Sequence, residues 1–98
     1  MEKRLPHCKL VKIKELVSLG KVLTTYAARQ GAVELGLDEA GICAVVMALT
    51  TADFYKSMTT QADHRIWQDV YRPTTSAGDV YLKLTVINDV LIVSFKEL

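Results

Sequence analysis

The sequence has only two cysteines, Cys8 and Cys43, in 98 residues. They stand far apart and in no CxxC or CxxH pattern, so neither a disulfide framework nor a zinc-finger arrangement is expected. Both thiols read as reduced, with Cys43 a small core residue. Histidine is equally scarce. His7 and His64 have no spacing suited to a metal site, and they read as surface groups of an N-terminal tail and a turn. No phosphate loop or dinucleotide fingerprint occurs. Apolar runs are short: Ile42 to Leu49 and Val90 to Val93 fall well below the length needed to cross a bilayer. Lys3-Arg4 is followed by no apolar signal-peptide core. The expectation is a cytoplasmic protein with no membrane association, no metal and no cofactor. A strong charge of one sign is also missing. The formal net charge is +1, which says little about partners.

Half of the residues are apolar and 23% are charged, the balance of a folded chain rather than a disordered one. The length suits one domain over residues 1–98 with a core that needs no staples. Charge is uneven along the chain. Lys3, Arg4, Lys9, Lys12, Lys14 and Lys21 crowd the first segment against Glu2 and Glu15 alone. A basic helix there suits a polyanion or an acidic protein, although a solvated face explains it equally well.

The first half reads as helical and the second as strands, which predicts an α+β fold. Leu10, Ile13, Leu16 and Val17 fall at helical spacing in a first helix from about Cys8 to Leu19, with Gly20 placed to end it. Thr24 or Thr25 caps a second helix to about Leu35, with Gly36 just beyond and Gly31 an unfavourable residue inside it. Asp38 caps a third helix through Leu49, whose Ile42, Val45, Val46 and Leu49 form a broad apolar face. From Phe54 the period becomes alternating. Phe54 to Thr60 and Ile66 to Arg72 read as strands around a polar turn, and Val80 to Ile87 and Val90 to Lys96 as a second pair. Pro73 and Gly78 bracket the connection, and Thr74 to Ala77 reads as a variable loop.

A two-residue turn at Asn88-Asp89 sets the register of the last hairpin. Leu82 then opposes Phe95, Leu84 opposes Val93 and Val86 opposes Leu91 on an apolar face turned to the helices. The other face carries Thr85 across from Ile92, Lys83 across from Ser94 and Tyr81 across from Lys96, with β-carbons about 5 Å apart. For the earlier hairpin, a turn symmetric about Ala62 puts Lys56 opposite Gln68 and Met58 opposite Ile66, with Arg72 at the same parity. The pattern leaves open whether that face adjoins the one bearing Tyr81 and Lys96. Trp67 has the opposite parity to Gln68 and reads as core or interface. Asp53, Asp63, Asp69, Asp79 and Asp89 fall at strand ends and turns, where aspartate is locally favoured.

Lys, Tyr, Gln and Arg on one surface suit a particular chemistry. RNA is cut without a metal when its own 2′-hydroxyl attacks the adjacent phosphorus. Cations and hydrogen-bond donors stabilise the charge that gathers on the phosphoryl oxygens. Tyr or Lys can move the protons if its pKa lies near neutrality, and Tyr and Arg can stack on bases or hold phosphates. Taken alone, a solvated cross-strand pair accounts for Tyr81 and Lys96 just as well.

The runs Asp53-Phe54-Tyr55-Lys56-Ser57-Met58-Thr59-Thr60, Ile66-Trp67-Gln68-Asp69-Val70-Tyr71-Arg72-Pro73, Val80-Tyr81-Leu82-Lys83 and Asp89-Val90-Leu91-Ile92-Val93-Ser94-Phe95-Lys96-Glu97 closely resemble the motility quorum-sensing regulator (MqsR) toxin family. The opening Met1-Glu2-Lys3-Arg4 and the segment Glu34-Leu35-Gly36-Leu37-Asp38 fit as well. The resemblance implies a RelE-like α+β fold, with helices on one face of a largely antiparallel sheet. It implies metal-independent mRNA cleavage at GC-containing sites and neutralisation by a cognate antitoxin. That antitoxin would have an N-terminal zinc-binding domain and a C-terminal helix-turn-helix domain, so operator DNA is reached only through it. The family's candidate catalytic positions match Lys56, Gln68, Tyr81 and Lys96. Tyr55, Met58 and Arg72 match positions implicated in RNA contact or activity, and Lys83 shares the hairpin face with Tyr81. The rival reading is a non-catalytic regulator that binds protein or nucleic acid through the same face.

Overall fold

A computed structural model describes all residues, Met1–Leu98. Helix α1 spans Leu10–Ser18 and buries Ile13, Leu16 and Val17. It begins two residues later than the apolar spacing suggests because the Cys8 amide is engaged elsewhere, donating to the Asp69 carboxylate. Gly20, at φ +75°, turns the chain out of it. Helix α2, Tyr26–Glu34, is capped by Thr25, whose hydroxyl accepts from the Ala28 amide. Helix α3, Glu39–Ala48, is capped by Asp38 through the Gly41 amide. Thr24 is not a cap. It ends a short strand, β2 (Val22–Thr24), that lay hidden between the first two helices.

The other strands are β1 (Glu2–Lys3), β3 (Phe54–Thr59), β4 (Trp67–Tyr71), β5 (Thr74–Thr75), β6 (Gly78–Ile87) and β7 (Asp89–Glu97). They form one sheet in the order β1-β3-β4-β6-β7-β2, with β5 paired to β6. Every pairing is antiparallel except β2 with β7. The α+β reading holds. Ile13, Leu16, Ala28, Ala32, Ile42, Val46 and Leu49 from the helical half meet Tyr71, Val80, Leu82, Leu84, Val90, Ile92 and Phe95 in one core. The segment read as a loop, Thr74 to Ala77, contains β5, which folds back on Gly78 and Asp79.

Gly31 turns out to be a requirement rather than a flaw in α2. A Cβ there would lie 1.8 Å from the Phe95 carbonyl oxygen, because the helix lies directly on the β7 backbone. Gly31→Ala therefore forces helix and strand apart. It is expected to cost about 1–3 kcal/mol, as overpacking does, read as a lower denaturant midpoint.

Two register expectations are corrected. In the last hairpin Ile87 pairs with Asp89 about Asn88, which sits at φ +65°. Leu84 then faces Ile92 and Thr85 faces Leu91. A bulge past Leu84 and Ile92 takes up one residue of β7, and beyond it Lys83 faces Ser94, Leu82 faces Phe95 and Tyr81 faces Lys96. Val90 and Ile92, not Leu91 and Val93, are the buried residues of that run. In the earlier hairpin Lys56 pairs with Val70 and Met58 with Gln68, two residues from the register symmetric about Ala62.

Candidate RNA-contacting face

Strand alternation sends Leu82, Leu84 and Phe95 into the helical core, so Tyr81, Lys83 and Lys96 emerge on the opposite face of the sheet. The pairings extend that face across four strands. Lys56 on β3 opposes Val70 on β4, Val70 opposes Lys83 on β6, and Lys83 opposes Ser94 on β7. The two hairpin faces that the sequence left unconnected are therefore one surface. Val70 is fully buried although it lies outside the helical core, so the long side chains beside it close over an apolar floor.

Tyr81 and Lys96 lie one row from Lys83, and the Lys96 ammonium stands 5.2 Å from the centre of the Tyr81 ring. Tyr55 occupies the irregularity between Phe54 and Lys56. Three cations surround its ring: Arg72 at 4.6 Å, Lys56 at 5.4 Å and Arg4 at 5.7 Å. The Arg72 backbone is fixed by donating to the Asp53 carbonyl at 2.8 Å. A shallow cavity of about 310 Å³ opens beside Tyr55 and Arg72, with Phe54, Thr74 and Asp79 on its walls.

Gln68 stands apart. It faces Met58, not Lys56, on the far side of the Lys56–Val70–Lys83 row from Tyr81. Two rows of β-sheet separate it from Tyr81, roughly 13 Å along the strands. All eight nominated residues sit in the Val70 row or beside it: Lys56 and Lys83 in it, Tyr55, Arg72, Tyr81 and Lys96 to one side, and Met58 and Gln68 to the other.

The N-terminal strand supplies what sequence reasoning missed. Lys56 donates to Glu2 Oε1 at 2.6 Å. That hydrogen bond raises Lys56 above the ordinary lysine range and, reciprocally, holds the Glu2 carboxyl below its own. Lys56 is thus a fixed ammonium, suited to stabilising negative charge and unsuited to removing a proton. Tyr71, by contrast, is buried on the helical face, and burial pushes its phenol up to about 12, which leaves Tyr55 and Tyr81 as the phenols beside the cations. A two-residue strand has no periodicity to detect, so only the basic run containing Arg4 gave any hint of β1.

The N-terminal segment is held down by two residues that the sequence reading placed differently. Asp69 is not at a strand end but in the middle of β4, only 2% exposed. Its carboxylate accepts from the His7 and Cys8 amides, each at 3.0 Å, and from Ser57 Oγ at 2.6 Å. His7 is no free tail residue. Its ring stacks on Trp67 at 5.6 Å, and Lys3 lies 4.2 Å over the same indole. Both cysteines are free, and burial, the larger cause in each case, raises both thiols, so neither is set up as a nucleophile. No three His, Cys, Asp or Glu side chains gather where they could hold a metal ion. No helix is long and apolar enough to cross a membrane.

The family model described as "Motility quorum-sensing regulator, toxin of MqsA" matches residues 5–97. The chain is 62% identical over 97 residues to the mRNA interferase toxin MqsR of Escherichia coli (strain K12), an alignment that covers 99% of both chains. Matched by the family model over residues 5–97 and by this relative over nearly its whole length, the chain belongs to the motility quorum-sensing regulator toxin family.

Proposed function

We propose that this chain is the toxin of a toxin–antitoxin pair, an endoribonuclease that cuts mRNA on the outer face of its sheet. The observation that carries the reading is the Tyr81–Lys96 pair, phenol beside ammonium, one row from Lys83 and within the field of Lys56. The substrate's 2′-oxygen attacks the neighbouring phosphorus, the bond to the 5′-oxygen breaks, and a 2′,3′-cyclic phosphate and a 5′-hydroxyl result. Lys56 and Lys96 stabilise the charge on the phosphoryl oxygens. Tyr81 passes a proton or holds the phosphate. Arg72 and Tyr55, stacked together, suit a flanking phosphate and base, and Lys83 suits the backbone. Gln68 and Met58, at the other end of the surface, fit an adjacent nucleotide better than the reacting phosphorus.

Cleavage at GC-containing sites, with no metal required, completes the reading. So does neutralisation in the cytoplasm by an antitoxin with an N-terminal zinc-binding domain and a C-terminal helix-turn-helix domain. The test is incubation of the purified protein with a defined RNA containing GCU sites in EDTA, followed by end analysis. Fragments ending in 2′,3′-cyclic phosphate are expected. Binding without cleavage would return the protein to the class of non-catalytic regulators, and cleavage abolished by EDTA would refute the mechanism.

A further inference from the structure

β1 brings an acid to a surface otherwise built of cations. Glu2 pairs with Met58, and its neighbour Lys3 with Ser57, so the Glu2 side chain emerges on the same face as Lys56. Among Arg4, Lys56, Arg72, Lys83 and Lys96, only Lys56 is ion-paired. The pair is unequal: the Lys56 side chain is 19% exposed and that of Glu2 56%. The ammonium is seated in the surface while the carboxylate reaches in from solvent with one oxygen and makes no other side-chain hydrogen bond. The strand beneath is well held. The Thr59 amide donates to the Met1 carbonyl at 3.0 Å, and the Met1 ammonium donates to Thr59 Oγ1 at 3.0 Å. The Asp69 carboxylate fixes the chain again at His7 and Cys8.

Carboxylate and phosphate oxygens ask the same of an ammonium. An exposed, single-contact ion pair contributes little net stability, so a second anion can replace the carboxylate at small cost. We infer that Glu2 is a built-in competitor for Lys56: in the free protein its carboxylate occupies the place of the RNA phosphate on the ammonium, and it yields that place when RNA binds. This rests on the RNA-cleaving reading. It has a consequence that a purely structural contact lacks. When the phosphate displaces Glu2, the freed carboxylate draws a cation back from solution. That offsets part of the counter-ion release that drives binding to nucleic acid.

The test uses the full chain as wild type, Glu2→Gln, Lys56→Met and the double variant. Each is titrated with a labelled single-stranded RNA made uncleavable by a 2′-deoxy nucleotide at the linkage that the wild type cuts. Glu2→Gln is expected to bind about two- to fivefold more tightly near 0.1 M salt. Its plot of log Kd against log salt should steepen by up to about 0.7. With cleavable RNA, KM should fall by the same factor while kcat stays within about twofold, because Glu2 has already left Lys56 in the complex. In the Lys56→Met background the substitution should change nothing. A gain that persists there is a general charge effect and overturns the inference. So does equal binding by Glu2→Gln and wild type, or a fall in kcat without a change in KM. Melting temperatures of all four proteins show whether each is folded. A wild type that cleaves RNA while Glu2→Gln binds no better overturns this inference alone, whereas a wild type that binds no RNA removes the RNA reading with it.

Discussion

Lys56→Ala, Tyr81→Phe and Lys96→Ala are each expected to lower cleavage of a single-site RNA about a hundredfold or more, with thermal melting close to wild type. The magnitude follows from what each group supplies. A fixed cation or donor aimed at the charge that develops in the transition state contributes a few kcal/mol, which is two to three powers of ten in rate. The stability side follows from position. Lys96 is exposed, with its ammonium over the Tyr81 ring. Lys56 pairs only with the half-exposed Glu2. Tyr81→Phe keeps the ring that lies against the Lys96 ammonium and removes only the hydroxyl. Tyr81→Phe and Lys96→Ala should stay within about 0.5 kcal/mol, and Lys56→Ala, whose stem helps cover Val70, within about 1 kcal/mol. Single-turnover cleavage and a melting curve on the same preparations decide it, and wild-type rates in two of the three variants would sink the assignment. Gln68→Ala, removed from Tyr81 by two rows, is expected to weaken substrate binding more than it slows the chemical step.

How much of this was legible depended on whether a residue's neighbours carried a period. The cap at Asp38, and that at Thr24 or Thr25, announce themselves because a short oxygen-bearing side chain before an apolar helical repeat has a specific local task, and the structure assigns the second to Thr25. The pairing of Tyr81 with Lys96 was also readable, but through two offsetting departures. The chain turns one residue sooner than an Asn88-Asp89 two-residue turn would, and the bulge then restores the register. Val90 to Val93 is apolar throughout, so no alternation could show that Ile92 and not Leu91 points inward. The first hairpin slipped by two residues for a related reason. Its six-residue polar stretch lets the Thr60 hydroxyl and Asp63 close the turn, and a shift of two preserves every side chain's face. The face of Lys56 was therefore right while its partner was not.

What the sequence could not supply came from contacts more than fifty residues apart. Glu2 reaches Lys56, Arg4 reaches Tyr55, and His7 and Cys8 reach Asp69. No local propensity encodes such pairs. An aspartate inside an alternating strand is nevertheless a clue: a charge at a core-facing position needs partners, and the donors must come from somewhere.

Asp69→Ala gives that clue its largest measurable consequence. The carboxylate is the shared acceptor for two backbone amides and one hydroxyl at 2% exposure. Deleting it takes the acceptor from all three at once, and only Ser57 Oγ keeps a weaker one, the Gln68 carbonyl at 3.4 Å. At about 1–3 kcal/mol for each unpartnered buried group, with partial relaxation, a loss of about 3–5 kcal/mol is expected. For a chain of this size that corresponds to a melting temperature lower by roughly 15 °C or more. Asp69→Asn keeps one acceptor oxygen and should lose about half as much. The damage also has a direction. Freed at His7 and Cys8, the first residues can peel β1 from β3, and the Glu2 contact to Lys56 leaves with them. Hydrogen exchange should then quicken at the His7, Cys8 and Thr59 amides well before the β6–β7 hairpin opens. A midpoint within 0.5 kcal/mol of wild type, or uniform loss of protection across the sheet, would show that Asp69 does not tether this segment.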